Sequence, residues 1–233
     1  MKILGLESSA KSASVALMED GKLLARSFQN TGLTHSRTLL PMAEAMLQNC
    51  ELGIADVDAV AVAVGPGSFT GLRIGISAAK GLAWARELPC IGVSTLEAMA
   101  QNLAHLENTV LVCAMDARRS QIYNALFTSE HGRLTRRTPD RAIGLAELAE
   151  ELRSEPLPLV IVGDGAVLCE KALTEAGLPC RLAPPQLVMQ NAMSVALCAE
   201  DLARAGKLVS AQELLPVYLR PPQAQRLRQP PQI

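Results

Sequence analysis

The sequence predicts an α/β protein built from two similar lobes, each running β-β-β-α-β-α. Three paired features carry this reading. Two apolar runs, Ile3–Glu7 and Val110–Asp116, both end on a carboxylate. Two tight turns follow, at Asp20-Gly21 and His131-Gly132. Two glycine loops, Gly65-Pro66-Gly67 and Gly163-Asp164-Gly165, each join a strand to a helix. The members of each pair recur at closely similar offsets, as a duplicated unit would.

In the first half, Ser12–Met18 alternates, and Asp20-Gly21 favours a two-residue hairpin into Leu23–Gln29. His35–Cys50 has helical spacing at Leu39, Leu40, Ala43, Met46 and Leu47. Thr34 or Ser36 is its expected cap, and Pro41 marks a bend or a late start. Ala59–Val64 reads as a buried strand and Thr70–Glu87 as the second helix. Cys90–Val93 then leads to a helix opened by Ser94, with Glu97 three residues on, the pattern of a capping box.

The second half repeats the order: strand Gln121–Phe127, a strand after the turn, helix Leu145–Arg153, strand Leu159–Val162 and helix Ala166–Ala176. It ends with Cys180–Leu182 and the helix Met193–Ala205. Lobes of 1–105 and 106–220 are expected. Residues 221–233, with four prolines and two arginines, read as a flexible extended tail. A duplicated mixed sheet with an antiparallel hairpin and parallel crossovers is the fold of actin, heat-shock-70 ATPases and sugar kinases, the ASKHA fold.

Composition narrows the function. The net charge is −1 and aromatic residues make up 3%, so the chain offers neither a basic surface nor stacking rings for binding nucleic acid by itself. No apolar run is long enough to cross a membrane, and the start has no signal-peptide order. None of the six cysteines forms a C-x-x-C pair. Reduced, buried thiols in a cytoplasmic protein are expected.

In the ASKHA fold a nucleotide sits between the lobes, its phosphates held by the two hairpins and its metal by the strand-end carboxylates. Glu7, Ser8 and Ser9 in one lobe, Asp116 and Arg118 in the other, and Gly163 and Gly165 below the adenosine position are the candidates for a vestigial cleft. A phosphate-cradling hairpin wants glycine, so that backbone amides can approach closely. Arg118 and Arg119 stand there instead and are expected to occlude or reshape the pocket. Gly65–Arg73 lacks the Gly-Lys-Ser/Thr of a Walker loop.

The helix after that loop carries Gly71, Gly75, Ala79 and Ala83 at four-residue spacing. Each helical glycine costs about 0.5–1 kcal/mol relative to alanine, so the stripe implies an unusually close backbone neighbour. That neighbour is either the chain's own sheet or another subunit's helix. No two of the three histidines lie three to five residues apart, and no local nucleophile–base pair is visible. A catalytic centre is therefore not expected. A self-sufficient ATP-dependent kinase or ATPase and a peptidase are the competing readings, and fold alone would not separate them.

The opening Ile3-Leu4-Gly5-Leu6-Glu7-Ser8-Ser9, the run Gly65–Arg73, Asp116-Ala117-Arg118 with Gln121-Ile122-Tyr123, and the ending Pro216-Val217-Tyr218-Leu219-Arg220 resemble the TsaB (YeaZ) family across nearly the whole chain. That family is paralogous to TsaD, which joins a threonylcarbamoyl group to adenosine 37 of tRNAs reading codons that begin with A. TsaD uses a His-x-x-x-His pair that this chain lacks. The resemblance thus implies a non-catalytic cytoplasmic subunit that pairs with TsaD, recruits the ATPase TsaE and forms a homodimer in isolation. It implies no cofactor of its own, ATP or ADP at the TsaD interface, tRNA reached only through the complex, and no membrane. The family's contact uses the first two helices. Its expected residues here are His35, Leu39, Met46, Gly65, Gly67, Phe69, Thr70, Gly71, Arg73, Gly75 and Ala79.

Overall fold

The computed structural model describes residues 1–220, and the tail expected over 221–233 lies outside them. In the first half, β1 (Lys2–Glu7), β2 (Ala13–Glu19) and β3 (Lys22–Gln29) form an antiparallel meander. They are followed by α1 (His35–Asn49), β4 (Ala59–Gly65), α2 (Phe69–Trp84), β5 (Cys90–Ser94) and α3 (Thr95–Gln101). The second half runs β6 (Val110–Asp116), β7 (Gln121–Glu130), β8 (Arg133–Arg136), β9 (Arg141–Gly144), α4 (Leu145–Glu151), β10 (Leu159–Val162), α5 (Ala166–Glu175), β11 (Cys180–Leu182) and α6 (Ala192–Arg204). Both hairpins turn through two residues with positive φ, Asp20-Gly21 and His131-Gly132, which matches the twist of the flanking strands.

The two sheets have the same order. The first is β3-β2-β1-β4-β5, and the second, read from its hairpin edge, is β8-β7-β6-β10-β11. In both, the first strand pairs antiparallel with the second and parallel with the strand before the glycine loop. This is the duplicated two-lobed architecture of the actin and sugar-kinase folds. One strand escaped the sequence reading. The outer edge of β7 is covered twice, by β8 along residues 127–130 and by β9 along residues 121–124. At the break, Leu126 turns to the loop, its N–H donating to Thr138 and its carbonyl accepting from Arg137.

The lobe boundary expected at 105/106 is wrong in one respect, because the halves exchange their final helices. α6 lies on the first sheet, where Val195, Ala196 and Ala199 meet Ile3, Ala61 and Val93. α3 lies on the second, where Leu96, Met99 and Leu103 meet Leu111, Met115 and Phe127. Each lobe is therefore a helix–sheet–helix sandwich, with α1 and α2 on the far face of one sheet and α4 and α5 on the far face of the other. Leu96 and Leu103 are fully buried, and truncating either to alanine should cost about 2–5 kcal/mol. α3 and α6 pack on one another. Asn102 joins their ends by donating to the carbonyls of Leu187 and Met189 and accepting from Asn191 and Ser194.

After α6 the chain returns along the first lobe. Val209 exchanges backbone hydrogen bonds with Cys90, and Ala211 and Leu214 enter the first core. Val217 then donates to the Val64 carbonyl, which brings residues 217–220 to the rim between the lobes.

Candidate functional site

The cleft between the lobes has a cavity of about 520 Å³. The β1–β2 loop, the first turn of α2, the β6–β7 loop, Asp164 and residues 217–220 line it. The two halves thus meet where the duplicated strand ends predicted they would, but the candidate residues stand in unequal positions.

Glu7 does not reach the cavity. It is fully buried beneath the floor, and its Oε1 accepts the N–H of Ser9 at 2.5 Å. Oε2 has no partner. Burial is the largest influence on this carboxyl and pushes its pKa up to about 7, against hydrogen bonds from Ser9 and Ser8. The backbone amides that would face a phosphate in this hairpin are turned onto an internal carboxylate. Ser8 is buried as well, and its hydroxyl donates to the Gly71 carbonyl at 2.9 Å. Ser9 lines the cleft floor.

The glycine run explains why this hairpin is closed. Ser68 caps α2 by accepting the Gly71 N–H at 3.3 Å, while its own N–H donates to the Ser9 carbonyl at 2.7 Å. A Cβ on Gly71 would collide with the Ser8 carbonyl oxygen, and one on Gly75 with the Ser8 hydroxyl. Ala79 is fully buried in the first core, and Gly65 and Gly67 abut Val217 and Ser9. The small-residue stripe therefore packs on the chain's own loop and sheet. Gly65, Gly71, Gly75 and Ala79 are not surface for a second subunit, which corrects that part of the expected interface. Leu39 and Met46 are corrected for the same reason, being 1% and 5% exposed in the α1 core.

His35 is half-buried. Its Nε2 pairs with the Ala10 carbonyl at 2.8 Å and ties the first turn of α1 to the same loop. Thr34 holds the cap position of α1 without a side-chain cap bond, contrary to expectation, and Pro41 lies inside the helix rather than before it.

The opposite wall differs. Asp116 accepts the Arg118 N–H at 2.7 Å, and Arg118, Arg119 and Ser120 all have left-handed φ. Such non-glycine residues carry a conformational cost of about 1 kcal/mol or more each. The Arg118 side chain is 84% exposed. It stands at the mouth, where its guanidinium pairs with Asp116 at 3.4 Å, and Arg119 lines the cavity beside it. Gly163 and Gly165 sit below, their N–H groups donating to Val188 and Ala114. Between them, Asp164 accepts from Gln190 at 3.0 Å, and burial raises its pKa.

Lys11, Arg118, Arg119 and Arg220 give the mouth a positive rim over the acidic Asp116 and Asp164. The sequence reading missed the rim's aromatic clasp. Phe69 and Tyr218 stack with centroids 4.9 Å apart, the Arg73 guanidinium lies 3.9 Å over Phe69, and its Nε donates to the Tyr218 hydroxyl. Arg220 then crosses to the Ala117 carbonyl at 2.9 Å. The Tyr-Leu-Arg ending was a visible motif, but nothing in it said that it would bridge the lobes.

Among the described residues no three His, Cys, Asp or Glu side chains are grouped to hold a metal. Burial pushes the Cys169 thiol up to about 12, so it is no nucleophile at neutral pH. The arrangement can hold an anionic group at the rim, but it pairs no nucleophile with a base.

On the outside of the first lobe, α1 and α2 share a second surface. Thr70, Arg73, Ser77, Gly81 and Trp84 form the exposed stripe of α2, and Leu40, Glu44 and Gln48 that of α1. Trp84 is 63% and Leu40 45% exposed, and open space surrounds Gly81.

Residues 28–213 match the family model described as TsaD: tRNA N6-adenosine threonylcarbamoyltransferase. The tRNA threonylcarbamoyladenosine biosynthesis protein TsaB of Escherichia coli is 34% identical over 223 residues, covering 94% of this chain and 95% of that one. Its counterpart in Bacillus subtilis is 31% identical over 175 residues, 75% of this chain and 76% of that one. The structure of YeaZ from Pseudomonas aeruginosa superposes with a TM-score of 0.80 at 27% identity, covering 94% of this chain and 99% of that one.

Proposed function

We infer the function from one premise: the chain belongs to the TsaB family of tRNA threonylcarbamoyladenosine biosynthesis proteins. It acts in making threonylcarbamoyladenosine on tRNA, in company with TsaD, as a subunit that does no chemistry of its own. The observation that carries this is the closed first hairpin. A carboxylate and the α2 backbone hold the groups a phosphate would need.

The pairing surface is the outward face of α1 and α2, with Phe69, Thr70 and Arg73 at its cleft end. Exposed Trp84 and Leu40 on one face of a small domain support this reading, since apolar patches of that kind mark interfaces. The same face serves a homodimer when TsaD is absent, and the paired subunits recruit TsaE. The chain brings no cofactor, and an ATP or ADP in the assembly lies at its junction with TsaD. No helix among the described residues is long and apolar enough to cross a membrane, and the protein works in the cytoplasm.

Reconstitution tests this. The purified chain alone should neither hydrolyse ATP steadily nor transfer threonylcarbamoyl to tRNA, and adding it to TsaD and TsaE should be required for transfer. Steady ATP turnover by the homogeneous chain, lost in Asp116→Ala, would show a self-sufficient ATPase instead.

A further inference from the structure

We propose that the outer edge of β3 is a docking site for an extended, acidic segment of a partner protein, which adds as a further strand of the first sheet beneath α1. β3 is eight residues long and, among the described residues, pairs on one side only, with β2, so its other edge presents backbone groups that none of them pairs. Beside that edge runs a groove of about 570 Å³ between β3 and α1, on the flank of α1 away from α2.

The floor of the groove is apolar and adaptable, formed by Ala25, Met42, Ala45 and Met46. An added strand has side chains alternating between this floor and the opposite face. Two polar atoms in the groove, Gln29 Oε1 and Thr38 Oγ1, are buried without partners among the described residues.

Charge selects the occupant. β3 carries Lys22 and Arg26 and no acid; the Arg26 guanidinium lies on the opposite face, its Nη1 donating to Met193 Sδ of α6 at 3.8 Å, while Arg37 of α1 lines the groove. Among the described residues none of the three makes an ion pair with a carboxylate, although nearby charges such as Lys2 and Glu19 do. A second copy pairing β3 against β3 would set Lys22 and Arg26 against the same positive strand, which is unfavourable. A strand carrying glutamate or aspartate meets complementary charge from both sides.

The probe is a blocked peptide alternating threonine and valine and carrying three glutamates, with a counterpart carrying three lysines. Amide shifts of the full chain are followed by NMR. The glutamate peptide should bind roughly tenfold tighter at low ionic strength, with shifts concentrated on β3 and the groove flank of α1, and added salt should erase the preference. In the exposed double variant Arg26→Glu/Arg37→Glu the preference should invert, with melting temperature as the folding control. Equal binding of both peptides, no binding, or shifts away from β3 would overturn the proposal. Protection of β3 that grows with protein concentration alone would overturn it in favour of a second copy.

Discussion

The β1–β2 loop and the β6–β7 loop hold the same place in the two lobes, and their surroundings differ completely. In the first, Glu7 takes the Ser9 amide, Ser8 bonds to Gly71, and Ser68 bonds to Ser9. In the second, Asp116 holds one amide and pairs with the mostly exposed Arg118 guanidinium at 3.4 Å. With Gly65 aligned to Gly163, the places of Gly71 and Gly75 in α2 are taken in α5 by Cys169 and Leu173, both fully buried. Cys169 and Leu173 fill the second core, whereas glycine at the matching positions lets the α2 backbone descend onto Ser8. Duplicated topology supplied two hairpins of equal potential.

The largest effect expected from this contrast belongs to Glu7. Its folded pKa of about 7 lies above the unfolded 4.5. Between those values the unfolded chain loses its proton first, so stability falls as pH rises through that window and is flat above it. The drop corresponds to about 3 kcal/mol. Denaturant unfolding of wild type and Glu7→Gln across this range should give diverging curves, the variant lacking that decline. Parallel curves would mean that Glu7 ionises freely and does not lock the loop.

Gly71→Leu comes next. It sets a side chain against the Ser8 backbone, and such overpacking costs about 1–3 kcal/mol. In a chain of this size that lowers the melting temperature by several degrees. An unshifted melting temperature would place the helix farther from the loop than the geometry has it.

Tyr218→Ala removes the stack on Phe69 and the bond to Arg73, with about 0.5–1.5 kcal/mol lost beyond buried area. Increased proteolysis after residue 216 would be its signature, and an unaltered digestion pattern would count against the clasp. The smallest effect is expected for Arg118→Ala. An exposed side chain at the open hairpin should change stability by less than about 0.5 kcal/mol, and a larger loss in calorimetry would show that the second loop is not open.

Much of this was legible in the residues. Asp20-Gly21 and His131-Gly132 fixed both hairpins through the turns they favour, and Ser94 does accept the Glu97 N–H as its spacing suggested. The glycine stripe was read correctly as close packing. Its partner was not legible, since a small-residue face records how near a neighbour comes and not which chain supplies it. The exchange of α3 and α6 was hidden for a similar reason: an amphipathic helix shows that it has an apolar face, and both sheets offered apolar cover. β9 is four residues long and follows Thr138-Pro139-Asp140, too short for alternation to announce it.

The central claim, a closed inward face and a pairing outward face on one helix, is tested most directly by measuring TsaD affinity and melting temperature for Gly75→Leu and Ser77→Arg together. Gly75 faces the Ser8 hydroxyl and Ser77 faces solvent, two residues away on α2. Gly75→Leu should melt lower and bind TsaD normally per folded molecule, and Ser77→Arg should melt normally and bind TsaD at least tenfold more weakly, a loss of about 1.4 kcal/mol. Normal TsaD binding by Ser77→Arg, or lost binding by Gly75→Leu at an unchanged melting temperature, would contradict the account.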